Sequence, residues 1–402
     1  MNGSWKFTGV LLAFLTMSAL TGSAADNDNS GNNLFSNSQT LHILGNANED
    51  DIIDELDVAY VEGVINATIS RNDLCDANYD GSIDASDVEY IKQIINGTEN
   101  KLMLIDGSDS VVSFDLPIEK LAVAHMPEFI IALGEFSKVV GVPSYMLTDD
   151  VLTKIYPEIK KLPDYGKTGS FDREALAAIK PDVMIVWDQY PAEIEDLKKL
   201  GITVFEINTT KNNKNIDSFR EELLQFGYLF NKVDRARVII SSMNKIEDLV
   251  RDRVSAIPEE KRVKGISMNS VDPAKVRTMG EKWQIAGITD LAEGKIANSG
   301  SEVDIETIVN WDPDIINIWY WSGSPDQIYG NDKWQGLRAV KEKKVYKDYY
   351  ITSWSPEIEL LVLDYAMKAY PESFADINFN QTYEDYTEEL YGIRLSPKPG
   401  RV

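Results

Sequence analysis

From about residue 101 onward, short apolar runs alternate with stretches whose apolar positions recur every three or four residues. The first pattern predicts strands, and the second predicts helices packed on them. Strands are expected at 121–124, 139–142, 183–187, 203–207, 265–268, 315–319 and 344–346, after a β-rich opening at 102–114. A short helix is expected at 128–133, ending at Gly134. Between two groups of strands lies one long amphipathic stretch, 233–256. Ala236, Ile239, Ile240, Met243, Ile246, Val250 and Val254 share one of its faces. At 1.5 Å rise per residue it forms a rod about 35 Å long. Alternating strands and helices on both sides of a rod predict two α/β lobes with largely parallel sheets. A single rod between them permits only small hinge motions.

One unit of this pattern occurs twice. Residues 172–187 carry Asp172, Glu174, Pro181, Asp182 and Trp187. Residues 304–319 carry Asp304, Glu306, Pro313, Asp314 and Trp319 at the same offsets. Each unit is an amphipathic helix halted by a proline, which cannot continue it, and then an apolar strand. Paired units imply paired lobes, and a cleft between lobes is where ligands are held. Trp187 and Trp319, matched by the repeat, are expected to pack as core.

Residues 41–98 differ in kind, being acidic and internally repeated. Asp76, Asn78, Asp80 and Asp87 occupy positions 1, 3, 5 and 12 of a loop that turns at Gly81, the oxygen-rich spacing that Ca²⁺ requires. Upstream, Asn46, Asn48, Asp50 and Asp57 fit the same frame, with Asp51 at the turn. Each loop runs into a helix, expected at 58–65 and 88–95. A duplicated calcium loop with aspartate at its last position and a helix after it resembles the dockerin module. The resemblance covers nearly all of residues 43–97. It implies calcium at Asp76, Asn78, Asp80, Asp87 and the Ser82 carbonyl. It implies a second calcium at Asn46, Asn48, Asp50, Asp57 and the Ile52 carbonyl, and a cohesin-type partner. Loop one departs from the pattern at Asn46 and Asp51, so its site is expected to be weak or empty.

Composition sets further bounds. The 402 residues leave room for two or three domains. Lys6, an apolar run at 10–20 and the small residues Ser23, Ala24 and Ala25 read as a secretory signal over 1–25. Residues 26–42 read as a flexible linker, and no Cys follows the apolar run to take a lipid anchor. Sequons at Asn66, Asn96, Asn208 and Asn380 are compatible with export. A secreted, cell-surface-associated protein is expected. The net charge of −25 argues against nucleic acid and against anionic membranes as partners. The single cysteine, Cys75, excludes an internal disulfide.

The run from Asp106 to Phe114, the run from Glu128 to Val142, the segment from Leu162 to Gly166, the two repeat units around the rod and the run from Leu337 to Tyr346 follow in a recognisable order. Their order and spacing resemble the ABC-transporter substrate-binding proteins for iron–siderophore complexes and cobalamin, over about residues 101–393. The resemblance implies two Rossmann-like lobes, at 101–231 and 258–393, joined by a backbone helix at 232–257 and followed by a tail at 394–402. It implies delivery of cargo to an ABC permease and its ATPase. In that family a glutamate on each lobe docks the permease, and Glu174 and Glu306 hold the matching positions.

In a two-lobed fold the ligand lies where strands from both lobes end. On the N-lobe side this makes His125, Tyr165, Asp188 and Tyr190 candidate ligand contacts. On the C-lobe side the candidates are Asn269, Arg277, Trp283, Tyr320, Trp321 and Trp354. With only His42 and His125 in the chain, a bare zinc or manganese site of clustered histidines is not expected. Aromatics with a few polar groups suit a large, flat, chelated metal. A ferric siderophore-type complex fits if Arg277 meets anionic chelate oxygens. Cobalamin or haem fits if aromatic faces hold the ring. The sequence leaves these alternatives open. Gly-x-Ser-x-Gly, His-Glu-x-x-His and a phosphate-cradling glycine loop are absent, so an enzyme is not expected. A surface scaffold without transport is the reading of another class.

Overall fold

The computed structural model describes residues 34–35, 40–297, 299–351 and 354–398. The expected signal at 1–25 and most of the expected linker lie outside the described residues. In the N-lobe, Leu121–Val123 runs parallel to Val139–Gly141 on one side and to Val183–Trp187 on the other. Thr203–Ile207 extends the sheet, also parallel. In the C-lobe, Lys264–Ser270, Ile315–Ile318 and Val345–Lys347 form a parallel set. Lys275–Arg277 and Ser301–Glu302 add antiparallel pairings at its edge. The apolar runs are continuous because these strands are covered on both faces.

The repeat has a physical purpose in both lobes. The helices Arg173–Ile179 and Ile305–Trp311 end in left-handed residues, Lys180 (φ 47°) and Asp312 (φ 42°), immediately before their prolines. The next residue then pins the strand that follows. Asp182 Oδ2 accepts the Lys120 N–H at 2.8 Å, and Asp314 Oδ2 accepts the Lys264 N–H at 2.9 Å. Each Pro-Asp pair therefore stops a helix and locks the start of its strand to the neighbouring chain.

The rod is present as Val233–Ser255, with its expected apolar face buried. It is not alone. The helix Asp217–Leu229 packs along it with every residue buried, including Asp217, Arg220, Glu221 and Glu222. Ile358–Ala369 packs on the rod as well. The last helix, Phe379–Tyr391, does not stay with the C-lobe, as boundaries at 258–393 would have it. It reaches Pro127–Ala132 of the N-lobe, and Arg235 clamps the junction by donating to Ala132 O at 2.9 Å and Leu390 O at 2.9 Å. The tail, described to Lys398, also ties the lobes together. Its carbonyl accepts the Tyr350 N–H at 2.8 Å, and its amine pairs with Asp150 at 3.0 Å.

The helices Glu55–Ile65 and Ala85–Asn96 pack together behind their acidic loops. Each is opened by a capping box. Asp54 and Asp57 trade hydrogen bonds with each other's backbone at the first helix, and Asp84 and Asp87 do so at the second. The aspartate at loop position 12 thus also fixes the start of the helix. These residues pack onto the two-lobed body, and so does part of the expected linker. Leu34, Phe35, Leu41 and Ile43 are buried in the same core as the rod. Ile53 N–H donates to the Tyr228 hydroxyl at 2.9 Å, and His42 Nδ1 lies 2.5 Å from Glu221 Oε1. The apolar residues scattered through a polar segment were anchors rather than linker. Among the described residues, no helix is long and apolar enough to cross a membrane.

Candidate ligand-binding site

Parallel strands in both lobes bring their C-terminal ends to one place, and the residues just past those ends enclose a cavity of about 330 Å³. On the N-lobe wall, His125 lies flat on Trp187, with ring centroids 3.9 Å apart and planes 10° from parallel. Tyr190 continues the stack, 5.6 Å from His125. On the C-lobe wall, Tyr320 meets Tyr350 edge-on at 4.9 Å, and Trp321 meets it at 5.7 Å. Trp354 joins the walls by packing on Trp187 at 4.9 Å. The Tyr350 hydroxyl donates to Asp149, a second link between the lobes.

Three carboxyl groups line the same cavity, those of Glu128, Asp149 and Glu357. Burial, with the nearby Glu357 and Asp149, pushes the Glu128 carboxyl well above its usual range. Burial also raises Glu357. Asp149 Oδ1 accepts the N–H groups of Val151 and Leu152 at 2.8 and 2.9 Å. Burial lowers His125 to about 3, so the imidazole is neutral at physiological pH. Its Nδ1 accepts the Trp187 N–H at 3.2 Å, which leaves the ring proton on Nε2.

Of the ten candidate contacts, His125, Tyr190, Tyr320, Trp321 and Trp354 line this cavity. The other five do not. Tyr165 is fully buried in the N-lobe core, edge-on to Phe171. Trp283 is fully buried against Tyr365 and lies over Gly265, where a Cβ would come within 2.9 Å of the indole. Asp188 accepts the Thr209 hydroxyl at 2.7 Å and so holds the start of the next helix. Asn269 accepts the Ser322 hydroxyl on its backbone carbonyl. Arg277 stands over the ring of Trp319, 5.5 Å from its centroid, and is not among the lining residues. Trp187 packs against the core as expected, but core packing is only part of its role and is not that of Trp319. Each stands where its strand runs out into the cleft, half-buried, and lines the cavity.

Sequence reasoning passed over Glu128, Tyr145, Asp149, Tyr350, Glu357 and Tyr383, which also line it. Glu128 and Tyr350 obey the strand-end rule that found His125. Tyr145 and Asp149 lie in irregular chain with no periodic signal. Glu357 and Tyr383 arrive with the C-terminal segments that close over the site.

Glu174 and Glu306 are exposed, each the second residue of its repeat-equivalent helix. Around the acidic loops, Asp76 Oδ2 accepts Gly81 N–H at 2.9 Å and Asp80 Oδ1 accepts Ser82 N–H at 2.9 Å. In loop one the Asn46 amide donates to Leu41 O at 2.7 Å and Asp50 O at 2.8 Å, and its own Oδ1 is buried without a partner. Among the described residues, no three His, Cys, Asp or Glu side chains stand together as a metal-holding group.

Residues 127–349, more than half of the chain, match the family described as periplasmic binding protein. The chain belongs to the periplasmic binding protein family. Its relatives include the molybdate-binding protein MolA of Haemophilus influenzae, 24% identical over 61% of this chain and 76% of MolA. They also include the ferric-anguibactin-binding protein FatB of Vibrio anguillarum, 24% identical over 62% of this chain and 84% of FatB. The structure of MolA bound to molybdate superimposes with a TM-score of 0.65 at 22% identity, covering 74% of this chain and 99% of MolA. Helicobacter pylori CeuE, in a Ni–His complex, gives 0.64 at 21% identity, covering 73% and 96% of the two chains. The fold is thus the two-lobed α/β fold of these binding proteins. Members of the family are periplasmic solute-binding proteins and not enzymes, in line with the motifs missing from the sequence. Residues 41–98 lie outside the family match.

Proposed function

We propose that this periplasmic binding protein family member is the solute-binding component of an ABC importer. It takes a metal chelate into the aromatic cavity between its lobes and delivers it to a permease and ATPase. The observation that carries this reading is the pair of aromatic walls at the strand ends, in a family whose relatives bind molybdate and a ferric chelate. A ferric siderophore-type complex is the favoured cargo, and cobalamin or haem is the second reading, since flat ring faces suit either. Four tryptophans line the cavity, so their fluorescence reports binding directly. Titration with ferric chelates, haem and cobalamin in parallel is expected to give stoichiometric quenching by one class without turnover. Trp354→Ala is expected to weaken that binding by about 1–3 kcal/mol, the scale of a lost buried aromatic contact. If no class quenches, the protein is a surface scaffold rather than a carrier.

The N-terminal loops we read as dockerin-like, holding the secreted protein at the cell surface through a cohesin-type partner. Support comes from the spacing of oxygen donors in loop two: Asp76, Asn78, Asp80, Asp87 and the Ser82 carbonyl. Loop one, with Asn46, Asn48, Asp50, Asp57 and the Ile52 carbonyl, is the weaker candidate, because the Asn46 amide already closes it by hydrogen bonds. These loops share a core with the rod, so calcium is expected to stabilise the whole chain. At a hundredfold excess over Kd the gain is about 2.7 kcal/mol. Thermal melts in calcium and in chelator measure it, and Asp76→Ala with Asp80→Ala is expected to erase the difference. Superimposable wild-type melts under the two conditions would remove calcium from the reading.

A further inference from the structure

The ligand cavity is rich in groups that attract cations and poor in groups that attract anions. Glu128, Asp149 and Glu357 line it, and among the described residues no lysine or arginine does. His125 adds no charge, because burial keeps it neutral. The nearby Arg277 is not among the lining residues; it lies over the face of Trp319, and its charge acts on the Tyr320 phenol. The groups facing Glu128 are Glu357, Asp149 and the phenols of Tyr145, Tyr320, Tyr383 and Tyr391. None of these is a cation. The remaining lining is dominated by aromatic rings, whose faces are the negative pole of the ring quadrupole.

An anionic chelate in this cavity would find no lysine or arginine among the lining residues to balance it, and it would hold the acidic groups in their protonated forms. We infer that the cargo is a metal chelate that carries net positive charge, with its cationic part held against the aromatic walls and balanced by Glu128, Asp149 and Glu357. This rests on the reading of the protein as a chelate carrier and narrows it. The raised carboxyls fit such a cargo. A cation entering beside Glu128 and Glu357 favours their ionised forms, so binding releases protons and tightens as pH rises.

The test uses the full chain and one ferric trihydroxamate in three charge states. Ferrioxamine B carries a free terminal ammonium, its N-acetyl form is neutral and its N-succinyl form is anionic, with the metal coordination unchanged. Choline serves as a metal-free cation and molybdate as a small anion. Calorimetry is expected to rank the ammonium form above the acetylated and the acetylated above the succinylated, with about tenfold or more between the extremes. Glu128→Gln and Asp149→Asn are expected to compress that range, with thermal midpoints confirming that each variant folds. The wild-type series alone decides the matter if a variant does not fold. Equal affinities, or tightest binding of the succinylated form, overturn the inference on charge and leave chelate capture standing, whereas tightest binding of molybdate overturns both. Binding of choline with none of the chelates supports the charge preference and overturns chelate capture. Silence from every probe overturns both.

Discussion

Truncating Arg220 to alanine is expected to destabilise the protein by about 3–5 kcal/mol, the cost of leaving buried charges without their partner. Arg220 is fully buried in the Asp217–Leu229 helix. Its guanidinium meets Asp217 at 3.0 Å, Glu247 of the rod at 2.5 Å and Glu359 of Ile358–Ala369 at 2.7 Å. Asn244 accepts its Nε–H at 2.6 Å. Three helices therefore converge on one cation, and its loss takes the shared partner from three buried carboxyls, of which Glu247 keeps Arg251. Burial pushes Glu359 up to about 8, with Arg220 pulling the other way. A carboxyl raised in the folded state contributes stability that is fully present below its unfolded value and is lost as pH rises through the folded one. Without Arg220 the Glu359 carboxyl rises further and Glu247 loses one of the cations that lower it, so the variant loses most at alkaline pH, where Glu359 is forced to ionise. Urea unfolding of wild type and variant at mildly acidic and at alkaline pH measures both effects. A loss no larger than that of an exposed ion pair, at most about 1 kcal/mol, would mean that water reaches the cluster.

Reversing Glu174 and Glu306 together is expected to cripple transport while leaving cargo affinity unchanged. The two side chains are exposed, are not among the residues lining the cavity, and each follows the first residue of a helix that the repeat places equivalently in its lobe. A two-fold symmetric permease meets equivalent surfaces on a pseudo-symmetric partner, and arginine recognises carboxylate in paired hydrogen bonds. One reversal leaves half of that contact and is expected to slow docking modestly, whereas two oppose it on both sides. A lysine in the first turn of a helix costs roughly 0.3–1 kcal/mol against the macrodipole, too little to unfold either lobe. Permease ATPase stimulation by Glu174→Lys/Glu306→Lys, with chelate binding measured alongside, separates docking from capture. Wild-type stimulation by the double variant would leave these glutamates as ordinary solvated charges.

What the sequence determined by itself is the part of the molecule governed by local patterns. Val183–Trp187 and Thr203–Ile207 match the expected strands residue for residue, and the rod differs from expectation only at its end. Apolar periodicity and prolines act over a few residues, so they are legible without neighbours. The repeat likewise announced two lobes, because each Pro-Asp pair does its work beside its own strand. What surrounds a residue is a different matter. Asp217–Leu229 is buried on every side with charges inside it, and no amphipathic stripe marks such a helix. Trp187 and Trp283 are the same residue type near strand and helix ends, yet one lines the cavity and the other is core. The difference is whether a second lobe or a packed helix stands opposite. The acidic loops are legible as a repeated unit because their spacing is local, whereas the bonds from His42 and Ile53 to the Asp217–Leu229 helix cross more than 170 residues. Tyr350 and Asp149 close the cavity across 201 residues. Only the tertiary structure decides such pairs, since their energy depends on two distant segments arriving at one place and neither carries a local mark of the other.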